Sequence, residues 1–331
     1  MSNQHLPQIS IIITTFNNEQ TIDECLKSIF RLNYPKNLIE VILVDGASKD
    51  KTLEIARNYP IKIISEPLNA PAAYNLAIKQ VDSNIVGFID SDAKVDPNWL
   101  CTLVKDLVDP KIAGTSGSIE TWNKENKWAR VIGYDLQSRY NRIKQTVIRI
   151  ATMNLLMKKD IIIKVGGFDE KLSSQYDTDF GLRVTEKGYK IILNSKAKCY
   201  HFNRSNLSSY FKQQLQYGKN TIKLYFKHNK LIKGDEITDI GMNLQPPLFL
   251  LSILLFFLGF ITILKPLWYL SAGILCSLFI YYGFSAVRIS IKFSDNTALL
   301  LIIIYFARLI AWSTGAISTL INFLLGKSGD N

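Results

Sequence analysis

Between residues 187 and 234 the sequence contains no aspartate or glutamate, although eleven lysines and arginines fall there. The formal net charge of +11 is therefore concentrated in one block, and the rest of the chain is nearly balanced. Charge of either sign is scarce from residue 246 to residue 326, where only Lys265, Arg288, Lys292, Asp295 and Arg308 interrupt long apolar runs. Cysteine is also sparse: Cys25, Cys101, Cys199 and Cys276 form no Cys-x-x-Cys pair and have no zinc-ligand spacing, which fits a reducing compartment. The opening MSNQHLPQISIIITTF has no basic stretch followed by a long apolar one, the pattern of a secretory leader. The soluble part is thus expected to stay in the cytoplasm.

What is present falls into two parts. Residues 1–235 read as mixed strands and helices, and residues 236–331 as a helical membrane domain, with the polar, proline-ended GDEITDIGMNLQPP at the join. Three stretches, 247–264, 268–287 and 298–325, approach the roughly 20 apolar residues needed to cross about 30 Å of hydrocarbon. Buried helices of a globular core are the alternative. The loop after the second stretch carries Arg288 and Lys292 and the loop after the first only Lys265, as expected for a multi-pass cell-membrane protein whose N-terminal domain is cytoplasmic. The basic block just ahead of these stretches is expected to meet anionic lipid headgroups and not nucleic acid.

Within that block, residues 208–231 read as a helix with Phe211, Leu215, Gly218, Ile222, Tyr225 and Phe226 on one face and Lys212, Lys219, Lys223, Lys227 and Lys230 beside it. Such a helix lies in the membrane interface or packs on the soluble domain. Arg308 interrupts the third stretch. Either it is a charge at membrane depth facing protein, water or a lipid phosphate, or the stretch divides into an interfacial helix to Ala307 and a span from Leu309.

In the soluble part, QISIIITTF, IEVILVDGAS, IKIISEP and NIVGFIDSDAKVD have strand character and alternate with helical segments. That alternation predicts an α/β fold with a parallel sheet covered on both faces, whose ligands bind beyond the carboxyl ends of the strands. Polar residues collect there: Thr14, Thr15 and Asn17, then Asp45 and Ser48, then Asp90 and Asp92. Two carboxylates one residue apart suit Mg²⁺ or Mn²⁺, which take one or two carboxylates plus substrate phosphates. The same Asp-Ser-Asp also suits a helix cap, and for Asp96, ahead of Pro97, the cap is the favoured reading.

These segments in this order, followed by MNLLMKKDIIIKVGGFDEKL, QYDTDFGLRVTEKGYKI and CYHFNRS, resemble the family 2 glycosyltransferases, inverting enzymes with a Rossmann-like GT-A fold. The resemblance covers residues 8 to about 220. It implies that Thr15, Asn17 and Asp45 hold the base and ribose of a nucleotide-sugar donor, that Asp90 lies near the ribose and Asp92 binds the metal, and that Asn154 sits near the donor sugar. It further implies Asp177 as the base, with Asp179 as a weaker candidate, His201 as a second metal ligand, and Gly167, Asp169 and Glu170 as the acceptor-side loop. A hydroxyl acceptor needs such a base. The chain departs from the family at Tyr176, where Glu is usual, and at Tyr74, where Arg is frequent.

The expected activity is transfer of a sugar to a lipid-linked or glycan acceptor. The alternatives are a polyprenyl-phosphate sugar synthase, whose ionised acceptor needs no base, and a non-catalytic membrane scaffold. A processive polysaccharide synthase is disfavoured because no Gln-x-x-Arg-Trp motif occurs.

Overall fold

A computed structural model describes residues 6–143 and 145–326, with the Thr262 side chain excepted. It contains two compact units: residues 1–123 with 140–202, and residues 124–139 with 203–331.

The first unit is built on an eight-stranded sheet. Its strands are β1 (Ile9–Thr15), β2 (Ile39–Asp45), β3 (Lys62–Ser65), β4 (Ile85–Asp90), β5 (Ala93–Val95), β6 (Ile112–Thr121), β7 (Leu155–Lys158) and β8 (Lys190–His201). They lie side by side in the order β3-β2-β1-β4-β7-β6-β8-β5. The helices are α1 (Ile22–Phe30), α2 (Thr52–Ala56), α3 (Ala70–Gln80), α4 (Trp99–Val104), α6 (Lys159–Lys164) and α7 (Tyr176–Glu186); α5 (Lys127–Tyr140) falls almost wholly in the second unit.

Alternation along β1 explains why its sequence is an unbroken apolar run. Ile9, Ile11 and Ile13 pack with Cys25, Leu26, Trp99 and Leu103 on one face, while Ile12 packs with Ala73, Tyr74, Ala77 and Ile162 on the other. A strand covered on both faces has no solvent side to require polar residues.

The sheet is mixed where the sequence predicts a parallel one. Strands β1 to β4 are parallel, but β7 runs antiparallel to both β4 and β6. NIVGFIDSDAKVD is likewise two strands and not one. The chain leaves β4 at Asp90, turns through Ser91 and Asp92, and enters β5, which pairs with β8 at the far edge of the sheet. Short strands joined by a tight turn are indistinguishable from one longer strand by periodicity alone.

The second unit holds α5 and four further helices: α8 (Leu207–Lys227), α9 (Ile240–Leu258), α10 (Pro266–Phe293) and α11 (Leu301–Leu324). Among the described residues three segments are long and apolar enough to cross a membrane, Ile240–Leu258, Pro266–Phe293 and Asn296–Leu324. The first begins seven residues before the predicted stretch, because α9 starts at Ile240, where the Asp239 side chain caps it by accepting from the Met242 amide (2.9 Å), and it carries Pro246 and Pro247 inside.

Two expectations about this unit change. First, α11 runs unbroken through Ala307, Arg308 and Leu309, so no division occurs there. Arg308 is 5% exposed and its guanidinium lies 2.9 Å from Asp135 of α5, which supplies the counter-charge that a buried arginine needs. Second, α8 packs along α11. Its buried positions are Tyr210, Gln214, Gly218, Asn220 and Leu224, whereas of the predicted apolar face only Gly218 is buried. Close approach decides the face: a Cβ on Gly218 would stand 2.7 Å from the Trp312 backbone, and one on Gly315 2.4 Å from the Leu215 carbonyl oxygen. Small residues at a helix crossing select the contact, overriding the apolar stripe.

Candidate active site

Strand register assembles the rim. Thr15 pairs with Asp45 across β1 and β2, and Thr14 pairs with Asp90 across β1 and β4, so three separate chain segments end at one level. The next loops are then stitched together. Asn17, in the left-handed region at φ 53, accepts at Oδ1 from the Lys49 amide (2.8 Å), and its own amide donates to Ser48 Oγ (2.8 Å). Asn18 Nδ2 donates to Ser91 Oγ (2.9 Å), which ties the β1–α1 loop to the Asp-Ser-Asp turn.

Asp45 is fully buried and accepts from the Ser48 amide (2.9 Å), Ser48 Oγ (2.5 Å) and Ser65 Oγ (3.3 Å). It closes the β2–α2 turn and does not cap α2, whose first amide, that of Thr52, donates to Asp50 Oδ1 (3.0 Å).

Asp90 and Asp92 sit in different environments. Asp90 accepts from the Tyr74 hydroxyl (2.6 Å), and burial, with the charge of Asp92 added, pushes its pKa up to about 6. Asp92 lies in the turn, with its carbonyl held by the Phe202 amide (2.8 Å) and its carboxylate 3.6 Å from His201 Nε2. The β5–β8 pairing sets His201 directly opposite Ala93, which brings a histidine over a hundred residues downstream beside the motif. Asp96 accepts from the Asn98 amide (2.9 Å) in the turn ahead of α4, but the helix starts at Trp99 with Asn98 at its N-cap position and no side-chain cap, so the expected Asp96 cap with Pro97 as first helical residue does not form.

Asp177 is in the first turn of α7, behind Gln175 at φ 59, and its Oδ1 accepts from the Thr178 amide (2.8 Å). Burial pushes its pKa above the ordinary carboxylate value, opposed by the charge of Arg149. Asp179 is fully buried and accepts from Arg183 Nε (2.8 Å). The same guanidinium donates to the carbonyls of Val165 (2.6 Å) and Gly167 (2.7 Å), so Asp179 and Arg183 brace the Gly166–Gly167 turn.

That turn is also held from α3. Asn75 donates to the Phe168 carbonyl (2.9 Å) and to Glu170 Oε1 (2.8 Å), and accepts from the Phe168 amide (2.9 Å). Asp169 accepts at Oδ1 from the Lys171 amide (3.0 Å), which leaves the exposed Glu170 as the more accessible of the two acids.

The Asp92 carboxylate and the His201 imidazole together fit a hard divalent cation that takes few protein ligands and completes its shell with phosphate oxygens. Among the described residues no group of three or more His, Cys, Asp or Glu is placed to hold a metal ion.

Residues 10–166 match the glycosyl transferase family 2. The chain carries a family 2 glycosyltransferase domain. It is similar to the glycosyltransferase AglE of Haloferax volcanii, with 29% identity over 231 residues that cover 66% of this chain and 75% of that one. A second relative is the dolichyl N-acetyl-alpha-D-glucosaminyl phosphate 3-beta-D-2,3-diacetamido-2,3-dideoxy-beta-D-glucuronosyltransferase of Methanococcus voltae, 27% identical over 233 residues, 63% of this chain and 71% of that one. Among solved structures, the mannosyltransferase PcManGT of Pyrobaculum calidifontis, in complex with GDP-Man and Mn²⁺, superposes with a TM-score of 0.62 at 17% identity, over 98% of this chain and 89% of that one. That likeness establishes a shared GT-A fold.

Within this glycosyltransferase, Asn154 lies below the rim. Its side chain accepts from Trp99 Nε1 (2.6 Å) and donates to the Ser118 carbonyl (3.0 Å), with no exposure, so the amide is spent on the core beneath the rim. Two functional residues escaped the sequence reading. Tyr74, noted only as a departure, buttresses Asp90, and Asn75 organises the Gly166–Glu170 loop. Tyr176, in place of the usual Glu, joins a ring cluster with Tyr74 (centroids 6.2 Å) and Phe168 (5.9 Å), and this aromatic core sets the start of α7 against the Asp90 strand.

Gly167→Ala tests that scaffold. Gly167 has φ +68, and a Cβ there would sit 2.5 Å from Asn75 Oδ1. The strain in a left-handed position costs on the order of 1–2 kcal/mol before the clash is counted. The variant is expected to show a lower unfolding midpoint and a raised acceptor KM, checked by calorimetry and steady-state kinetics.

Proposed function

We propose that the protein is a membrane-anchored inverting glycosyltransferase that uses a nucleotide-sugar donor and a divalent metal, with its catalytic domain on the cytoplasmic side. The acceptor proposed is a lipid-linked glycan, in assembly of a surface polysaccharide or glycoprotein glycan. The observation that carries this reading is the single rim on which Thr15, Asp45, Asp90, Asp92 and His201 meet although they come from four strand ends and a turn. The apolar second unit and the relative named for a dolichyl phosphate-linked sugar support a lipid-linked acceptor.

In this reading the Thr15–Asn17 and Asp45–Ser48 segments bound the nucleoside, and Asp92 with His201 would hold Mg²⁺ or Mn²⁺. The cation supplies Lewis-acid stabilisation of the charge that develops on the departing nucleoside diphosphate. Asp90, held by Tyr74, keeps the turn in place. On the opposite side Asp177 takes the proton of the acceptor hydroxyl; its raised pKa makes it a stronger base than an exposed aspartate. Gly167, Asp169 and Glu170 border the acceptor.

Metal-dependent hydrolysis of a panel of UDP- and GDP-sugars tests the enzyme reading: one donor should be hydrolysed with added Mg²⁺ or Mn²⁺ and lose hydrolysis with chelator. Asp92→Asn should reduce that hydrolysis by about 10²-fold or more and shift the metal titration to higher concentration, since one charged oxygen ligand is lost. An unchanged metal titration in Asp92→Asn would remove Asp92 from the site.

A further inference from the structure

Of the three apolar helices, α11 has different neighbours from the other two. In its most apolar stretch 44% of residues are buried, against 17% in α9 and 22% in α10. Besides α9 and α10, its partners are the polar helices α8 and α5. Arg130 and Tyr134 of α5 engage Asp295 just before α11, at 3.1 Å and 2.9 Å, and one turn on Asp135 accepts from Tyr305 (3.1 Å) and Arg308 (2.9 Å). The first half of α11 thus meets α5 at one charged contact, on a helix that also bears Lys127 and Arg139, and otherwise packs on α10, where Tyr282 stands 5.3 Å from Tyr305 and 5.1 Å from Phe306.

The second half follows α8. Trp312 Nε1 donates to Gln214 (2.9 Å), the Thr319 hydroxyl donates to the Lys219 carbonyl (3.1 Å), and the rings of Phe323 and Phe226 stack at 5.2 Å. Contacts advance together from residue 214 to 226 on one helix and from 312 to 323 on the other. The two helices thus run side by side in the same direction for about 17 Å, at roughly 1.5 Å per residue. A crossing α11 would carry α8, with Lys212, Lys219 and Lys223, into hydrocarbon alongside it, and lysine at that depth is strongly disfavoured.

The free side of α11 agrees. Ile303, Ile310, Ile317 and Leu324 are exposed and recur every seven residues, so they form a single apolar stripe, and from Leu301 as far as Thr319 only Thr314 is exposed besides them. In α9 and α10, by contrast, large apolar side chains are exposed in almost every direction, among them Leu254, Phe257, Tyr269, Ile280 and Phe284, and Lys265 in the turn between them is the only charge from residue 240 to 287.

We infer that α11 lies in the plane of the membrane interface, with its Ile303–Leu324 stripe against the acyl chains and α5 and α8 on its aqueous side, so that the chain crosses the bilayer twice, through α9 and α10. This rests on the membrane attachment proposed above. The partner is the lipid surface: the stripe is continuous in sequence with the crossing pair, and the lysines of α8 border it toward headgroups. Residue 326 then returns to the side occupied by α5 and α8.

The test uses the full-length protein in intact cells, with N229C, K265C and G326C made singly and labelled by a membrane-impermeant maleimide before and after permeabilisation, the unsubstituted protein giving the background of its own thiols. The expected result is that K265C labels from the face opposite to N229C and G326C. Labelling of G326C from the same face as K265C, opposite to N229C, would mean that α11 crosses, and would overturn the inference. Labelling of all three from one face, with the protein still membrane-bound after a carbonate wash, would overturn the crossing pair and with it the two-crossing arrangement. Release by the carbonate wash would instead bring down the attachment on which the inference rests. If a cysteine variant fails to accumulate, a fluorescent-protein fusion after Gly326, read against one in the Lys265 turn, gives the same discrimination.

Discussion

Asp177→Asn is expected to lower turnover by about 10²- to 10⁴-fold, the usual contribution of a positioned general base, while donor affinity stays within a few-fold of the parent. The substitution keeps the volume and the acceptor oxygen used by the Thr178 amide, so the first turn of α7 is retained. It removes only the capacity to take a proton. Donor binding by calorimetry and single-turnover kinetics separate the two effects. A polyprenyl-phosphate acceptor would give the opposite outcome, turnover retained, because an ionised phosphate brings no proton to remove.

The pH profile supplies a second readout of the same residue. Burial favours the neutral carboxyl of Asp177, so its folded-state pKa lies above the ordinary value of 3.8. Activity should therefore fall with acid at a higher pH than an exposed aspartate would give. The stability sign is reversed from the activity sign. A raised folded pKa means that the favourable contribution is complete below the unfolded pKa and is lost as pH rises through the folded one. At neutral pH Asp177 is a charge the fold would prefer to be without, and Asp177→Asn should melt no lower than the parent.

Asp135→Asn is expected to be the most destabilising single change in the second unit, by about 3–5 kcal/mol, the range for removing one partner of a buried ion pair. Asp135 is 6% exposed and lies 2.9 Å from both Arg139 and Arg308, so its loss leaves two guanidiniums facing each other out of water. Thermal unfolding in detergent measures the effect, and adding Arg308→Met to Asp135→Asn should recover part of it by removing the stranded charge. Burial alone would raise the Asp135 pKa, yet the two arginines outweigh it and hold the carboxyl below its usual range. The stabilisation is then present above the unfolded pKa and is lost as pH falls through the lowered folded value. The parent should lose stability across that acid window, and Asp135→Asn should not.

Local patterns carried much of this in the sequence. The first four strands, the helices between them and the polar residues at their ends all follow from periodicity, because each strand contributes to the rim through its own last residues. What lay outside that reach is the set of pairings between distant segments. Asn154 has the same type and spacing whether or not an indole stands beside it, and its bond from Trp99 is visible only in the fold. Tyr74 looks like a missing arginine until its hydroxyl is seen against Asp90. The apolar stripe of α8 is real in the sequence, but packing obeyed Gly218 and Gly315, where two backbones could approach.

By itself the sequence determined that the chain opens with an α/β pattern carrying acids at the ends of its early strands, that its motifs follow the order of the family 2 glycosyltransferases, and that its last third is apolar enough for a membrane. The strand period and the apolar runs are local properties that each residue carries, whereas the family likeness lies in the order of whole motifs. The tertiary structure alone decided that the Asp-Ser-Asp turn feeds a strand onto β8 beside His201, that Asp179 braces a turn through Arg183, and that Arg308 faces Asp135. Each of these is a choice of partner for a desolvated polar group, and that choice is made by whichever complementary group the fold brings within hydrogen-bonding distance.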